Sequence, residues 1–173
     1  MKQPVAEADD TARKLARQLM AEKHAALAYT DAEGPGISRI AFGLDAAGCP
    51  MTLVSSLAAH AAALRANPAC AVMLGDPGDR GDPLTHPRLM LRVQAEFVAK
   101  ESRRDHWLKG HPKAALYIDF TDFGMWERAA MRRGCSTMQR LPSANRPESS
   151  TNCGICVDLP EPVGALISRF GRD

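Results

Sequence analysis

No stretch of the 173 residues approaches the run of about 20 apolar side chains that a membrane-crossing helix needs, and the start, Met1-Lys2-Gln3-Pro4, lacks the apolar segment of a secretory signal. These absences lead us to expect a cytoplasmic protein without a membrane partner. Charge of one sign is also missing. The 22 Lys and Arg stand against 20 Asp and Glu, a net of +2, which gives no electrostatic reason to expect nucleic acid as a partner. Aromatics are scarce at 5%, and five cysteines, an odd number, argue against a disulfide framework in a cytoplasmic chain. What is present is ordinary for a folded globular protein: 45% hydrophobic and 24% charged residues. The length suits one domain with a sizeable core.

The small charge excess is unevenly placed. Residues 1–128 carry 16 basic and 16 acidic side chains, so the excess lies in residues 129–173, with 6 and 4. That segment also holds Cys135, Cys153 and Cys156 but, of the nine aromatics, only Phe170. From Arg132 to Pro160 hydrophobic periodicity disappears among Ser, Thr, Asn, Pro and Arg. We therefore expect a globular domain over 1–128 and a divergent, poorly ordered segment over 129–173. Cys153-Gly154-Ile155-Cys156 has the spacing of half a zinc site or a redox dithiol. It lacks both two further nearby ligands and the βαβ context of a thioredoxin-like motif, and no metal site is expected. Cys49 and Cys70 read as small buried apolar residues.

Along the body, Asp9-Asp10-Thr11 offers helix caps, and Ala12, Leu15, Ala16, Leu19 and Met20 place one apolar stripe on a helix ending near Glu22. Strands are expected over 25–30, 37–44, 50–55, 69–74 and 88–99, separated by turn residues, with a last one beginning at Met125-Trp126. A short helix follows Ser56 and is stopped by Asn67-Pro68. Another covers Glu101 to Leu108, and Pro162 to Ser168 suits one closing helical turn. Five or six strands with short helices describe a mainly β protein built as a small antiparallel barrel.

Nucleophile elbows, phosphate-cradling Gly-Lys loops and His-Glu-x-x-His helices are all missing, which leaves chemistry to a bound cofactor. The corner Val54-Ser55-Ser56-Leu57-Ala58-Ala59-His60 gathers hydroxyls, backbone N–H groups and an imidazole within a few residues. Such a corner suits a phosphate; equally, Ser56 caps the helix and His60 lies on its surface. Arg39, followed by Ile40 and Ala41, either meets the same phosphate or belongs to a solvated strand face. Arg88 opens the long strand after Pro83-Leu84-Thr85-His86-Pro87, aimed at a ligand or ending a loop. His106 and His111 read as surface residues, Phe123 and Trp126 as core or subunit interface.

The order of these motifs carries a resemblance. Ser38-Arg39-Ile40-Ala41, the 53–60 block with its Ser-x-Leu-Ala-x-His, Gly81-Asp82-Pro83-Leu84 with Pro87-Arg88-Leu89, and His111-Pro112 with Tyr117, Phe120 and Asp122-Phe123 resemble the FMN-binding split barrels similar to pyridoxamine 5'-phosphate oxidase, in particular their haem-utilisation branch. The resemblance covers about residues 10–127. It implies a homodimer of six-stranded antiparallel split barrels with FMN in the grooves between subunits. It further implies an oxidoreductase acting on a small molecule, with haem as a second candidate ligand, or a non-catalytic flavin- or haem-binding protein. Carried over by position, Arg39 and His60 would contact the flavin phosphate, Ile40 and Ala41 would lie along the flavin, Ser55, Ser56 and Leu57 would line its ribityl chain and ring, and Arg88 would approach the ring edge. Ala61 stands where many relatives carry Thr.

Overall fold

The structure, a computed structural model, describes residues 5–7, 9–129, 137–140, 151–158 and 164–171. Its strands and helices run β1 (Val5–Glu7), α1 (Asp10–Met20), β2 (His24–Asp31), β3 (Gly34–Ala41), β4 (Gly43–Leu44), β5 (Pro50–Ser55), α2 (Ala59–Ala66), β6 (Ala69–Leu74), β7 (Arg88–Val98), α3 (Arg104–Gly110), β8 (Phe123–Ala129), β9 (Thr137–Arg140), β10 (Thr151–Asp158) and β11 (Gly164–Gly171). Short 3-10 turns lie at Pro83–Thr85, Lys100–Ser102 and Pro112–Leu116. The chain forms two compact units, residues 21–72 with 92–132 and residues 1–20 with 73–91 and 133–173.

The first of these is the expected mainly β antiparallel barrel, with seven strands where six were expected. Neighbours follow the order β3, β2, β6, β7, β8, β5, β4. The path closes on itself because β4 follows β3 across the single residue Phe42. Residues 37–44 read as one strand in sequence, but the Phe42 amide leaves the ladder to donate to Lys23 O at 2.9 Å. Thr52 Oγ1 bridges the break by donating to Ala41 O at 2.6 Å. Register is set by pairs such as Ala25 with Ile40 and Arg39 with Ala26. Period-two alternation turns Ala25, Leu27 and Ile40 inward, all buried, and Arg39 and Ile37 outward, both exposed. A second apolar cluster joins Met51, Leu53, Trp107, Ala114, Ile118 and Met125. Trp107 stacks on His111 with ring centroids 4.0 Å apart and planes 8° apart.

In the second unit Asp9 caps α1, its Oδ1 accepting from Ala12 N at 2.7 Å, and Ala12, Ala16, Leu19 and Met20 are the buried stripe. β10 pairs antiparallel with β11, β9 pairs antiparallel with Arg88–Met90, and β1 with β10 and β11 with β9 pair parallel. Residues 164–168 are therefore strand, where a helical turn was expected. Eight cross-strand pairs with β10 override a local pattern too short to define a period. Strands β9, β10 and β11, and Ala129 at the end of β8, lie within the segment expected to be poorly ordered; its other residues lie outside the described residues. Cys153 and Cys156 fall on β10; Cys135 lies outside the described residues. Among the described residues no helix is long and apolar enough to cross a membrane.

Candidate functional site

The corner between β5 and α2 is held by a residue distant in sequence. β5 pairs with β8 so that Ser55 lies opposite Phe123, which brings Asp122 to the corner. The Ser55 hydroxyl donates to Asp122 Oδ2 at 2.6 Å and accepts from Leu57 N at 3.2 Å, while Ser56 N donates to Asp122 O at 2.6 Å. Ala58 N donates to Ser55 O at 3.1 Å. These bonds occupy the backbone that the sequence assigned to a helix start. α2 accordingly begins at Ala59, with Ala58 as its N-cap and no side-chain cap, so Ser56 does not cap the helix. Its side chain is exposed, as is Leu57 at 86%.

His60, the second residue of α2, is half-buried, and its Nδ1 lies 3.1 Å from Ser38 Oγ. Tyr29 tilts toward the same imidazole with ring centroids 6.1 Å apart, its own ring filling the space where a side chain on Gly36 would stand. Burial holds the imidazole pKa below its ordinary value, so the ring is largely neutral near pH 7 and can offer one N–H. Ala61 is fully buried, so the position where many relatives carry Thr faces the packing rather than the open corner.

Ser55, Ser56, Leu57 and His60 thus share one corner, joined by Ser38, Tyr29 and Asp122, none of which had been singled out as a site residue. Ser38 was legible: it lies two residues before buried Ile40, hence on the same face of β3. Arg39 occupies the opposite, exposed face, away from Ser38. Ile40 turns into an apolar cavity in the barrel, lined also by Leu27, Phe42, Val72 and Trp126, and Ala41 is half-buried beside it. Cys70 borders that cavity, half-buried rather than buried, with its thiol pushed up to about 11 by desolvation; it is poorly suited to nucleophilic work. Cys49 is likewise half-buried. Arg88 belongs to the other unit, where it is half-buried and donates to Leu84 O at 3.2 Å. His106 and His111 are occupied by backbone carbonyls, Leu44 O at 2.8 Å and Lys23 O at 3.2 Å. Trp126 is buried, with Phe97 edge-on to it at 5.6 Å, and Phe123 packs on Tyr117 at 4.9 Å. Among the described residues no group of three or more His, Cys, Asp or Glu could hold a metal ion.

The donors at the corner fit a flavin phosphate: the exposed Ser56 hydroxyl, the His60 imidazole and a first helical turn suit phosphate oxygens, and the bare Leu57 side chain suits an aromatic face. No family model matches the chain. It is 40% identical over 93 residues, 51% of its length, to the non-canonical heme oxygenase HOZ, chloroplastic, of Arabidopsis thaliana, and spans 27% of that protein. The structure of a heme binding protein from Mycobacterium smegmatis is 28% identical with a TM-score of 0.60, over 70% of this chain and 52% of that one. A putative pyridoxamine 5'-phosphate oxidase from Listeria innocua shares the fold at 16% identity, with a TM-score of 0.53 over 67% of this chain and 90% of that one.

Proposed function

The chain belongs to the split barrels that resemble pyridoxamine 5'-phosphate oxidase, on their haem-utilisation branch, and from that premise we propose that it is a flavoprotein holding FMN at the β5–α2 corner and acting as an oxidoreductase on a small molecule. One observation carries this reading: Ser55, Ser56, Leu57 and the half-buried His60 are brought together by contacts that leave Ser56 and Leu57 exposed. Bound FMN would supply the electron transfer. The protein's own part is to hold and orient it. His60, anchored through Nδ1 by Ser38, would turn Nε2 toward the phosphate; Ser56 would add its hydroxyl, and Leu57 would cover one face of the ring. Ile40 and Ala41 would border it along β3.

We further propose a homodimer. Arg39 and the 77% exposed Ile37 share the outer face of β3, where a second copy would cover the isoleucine and bring the guanidinium to its own phosphate groove. A second reading, haem as the ligand, is favoured by the 40% identity to a heme oxygenase.

Absorption spectra of the purified protein, before and after titration with FMN and then with haem, separate these readings. Saturable flavin uptake with perturbed flavin bands is expected. Uptake of haem with no uptake of FMN would replace the first reading by the second, and uptake of neither would remove both. Light scattering tests the dimer: twice the chain mass is expected, falling to one chain mass in Ile37→Glu, whereas a monomeric parent protein would refute it.

A further inference from the structure

A serine hydroxyl has one proton to donate and two lone pairs. At Ser55 the proton is committed to Asp122 Oδ2 at 2.6 Å and one lone pair to Leu57 N at 3.2 Å. An ionised carboxylate has no proton to return. What Ser55 and Asp122 jointly show to the corner is therefore acceptor capacity beside a negative charge. A phosphate oxygen placed there would meet acceptors with no hydrogen between, and a like charge. A hydroxyl or N–H would meet an aimed lone pair.

We propose, on the basis of the FMN reading above, that Asp122 is a positioning residue that fixes Ser55 as an acceptor for the hydroxyl groups of the ligand's polyol chain and keeps phosphate out of this end of the corner, leaving the phosphate to His60 and Ser56. The placement of Asp122 is built rather than incidental. Its backbone oxygen takes the Ser56 amide at 2.6 Å, and Ser55–Phe123 pairing sets it at the mouth of β8. The turn before it is tied by Phe120 N to Tyr117 O at 3.0 Å and Phe123 N to Phe120 O at 3.2 Å, with Lys100 Nζ donating to Phe120 O at 2.6 Å. Arg104 grips Asp119 in the same turn through two bonds, 2.8 and 2.6 Å. The carboxylate is thus aimed before any ligand arrives, so ordering it costs little at the moment of binding.

The test measures dissociation constants of FMN and of riboflavin, which lacks the phosphate, by quenching of flavin fluorescence in the full chain and in Asp122→Asn, Ser55→Ala, the double variant, Ser55→Thr and His60→Gln. Asp122→Asn and Ser55→Ala should each weaken both ligands about tenfold, the scale of one charge-supported hydrogen bond. The double variant should lose no more than either single change, because the two groups act as one. Ser55→Thr should restore binding, and His60→Gln should weaken FMN while leaving riboflavin unchanged. Wild-type affinity in Asp122→Asn, a loss confined to FMN, or additive losses in the double variant would each overturn the proposal. If Asp122→Asn does not fold, the contrast of Ser55→Ala with Ser55→Thr on both ligands decides it by the same criteria. If the unaltered protein binds neither flavin, the FMN reading itself fails and this inference falls with it; if it binds FMN alone, the additivity of the FMN losses decides.

Discussion

Replacing Trp107 by Phe should change stability by less than about 1 kcal/mol, although Trp107 is 1% exposed and sits at the centre of the Met51–Leu53–Ile118–Met125 cluster. Two opposing effects set this figure. Loss of the second ring removes roughly 40 Å² of buried apolar surface, about 1 kcal/mol at about 25 cal/mol per Å², with a further contribution from the space left behind. Against that, the Trp107 indole N–H is buried and meets no acceptor among the described residues, and an unpaired buried donor costs about 1–3 kcal/mol. Phe removes that donor and keeps a ring able to stack on His111. Trp107→Ala removes the donor as well, but also most of the packing, and should cost about 3–5 kcal/mol, a large part of a typical total stability of about 5–15 kcal/mol. Urea unfolding with equal slopes for all three proteins is the assay, so that midpoints convert directly to free energies. A cost above about 2.5 kcal/mol for Trp107→Phe would refute the reasoning, because the indole N–H would then have to be bonded in the folded protein.

Three further outcomes follow from individual contacts. His60, whose imidazole is held below its ordinary value of about 6.5 by burial, binds its proton more readily in the unfolded chain; its contribution to stability is whole above pH 6.5 and shrinks as pH falls from there toward the lower folded value. The urea midpoint of the wild type should fall over that window more steeply than that of His60→Gln, and parallel profiles would rule this out. Glu127, whose side chain is 10% exposed, takes the Arg103 guanidinium through two bonds, and the pair raises the Arg103 pKa; Glu127→Gln should cost about 1–2 kcal/mol, between exposed and buried ion pairs, and an unaltered midpoint would show that the pair adds nothing. Gly75 sits at φ +107°, and a Cβ there would meet Pro87 O and, at 2.9 Å, Arg88 Cα. Gly75→Ala should therefore cost at least about 2 kcal/mol from the left-handed backbone and the backbone clash together, so wild-type stability in that variant would contradict the local geometry.

Local pattern carried the elements whose boundaries are local. β5 at Pro50–Ser55 and β6 at Ala69–Leu74 run where the sequence placed them, because apolar and β-branched residues are bracketed by Gly48, Asn67-Pro68 and Gly75. The misplacements share a different origin. The break at Phe42 depends on Lys23 O and the late start of α2 on Asp122, partners that no window of a dozen residues contains, while the strand at Gly164–Gly171 depends on β10, to which it is joined as a hairpin from Asp158 opposite Gly164. Tertiary hydrogen bonds decided these points against propensity.

The candidate site divides in the same way. Ser55, Ser56, Leu57 and His60 were legible because one strand-to-helix corner presents them within six residues. Ser38 needed only the alternation of β3: with Ile40 inside, Ser38 is inside and Arg39 outside, which separates Arg39 from the imidazole it had been grouped with. Asp122 could not be found by spacing at all, since it lies 67 positions from Ser55. Its signal is a deficit in the corner itself. A half-buried serine at the end of a strand, with its oxygen already accepting from the chain two residues on, must place its proton on an acceptor from elsewhere. The chain supplies a carboxylate, and that choice is chemical: a backbone carbonyl would have satisfied the proton equally well without setting a negative charge beside the site. A corner meant to take phosphate at Ser55 would gain from the carbonyl and suffer from the carboxylate, so the identity of the acceptor, rather than the presence of the serine, is what assigns this end of the corner to hydroxyl donors.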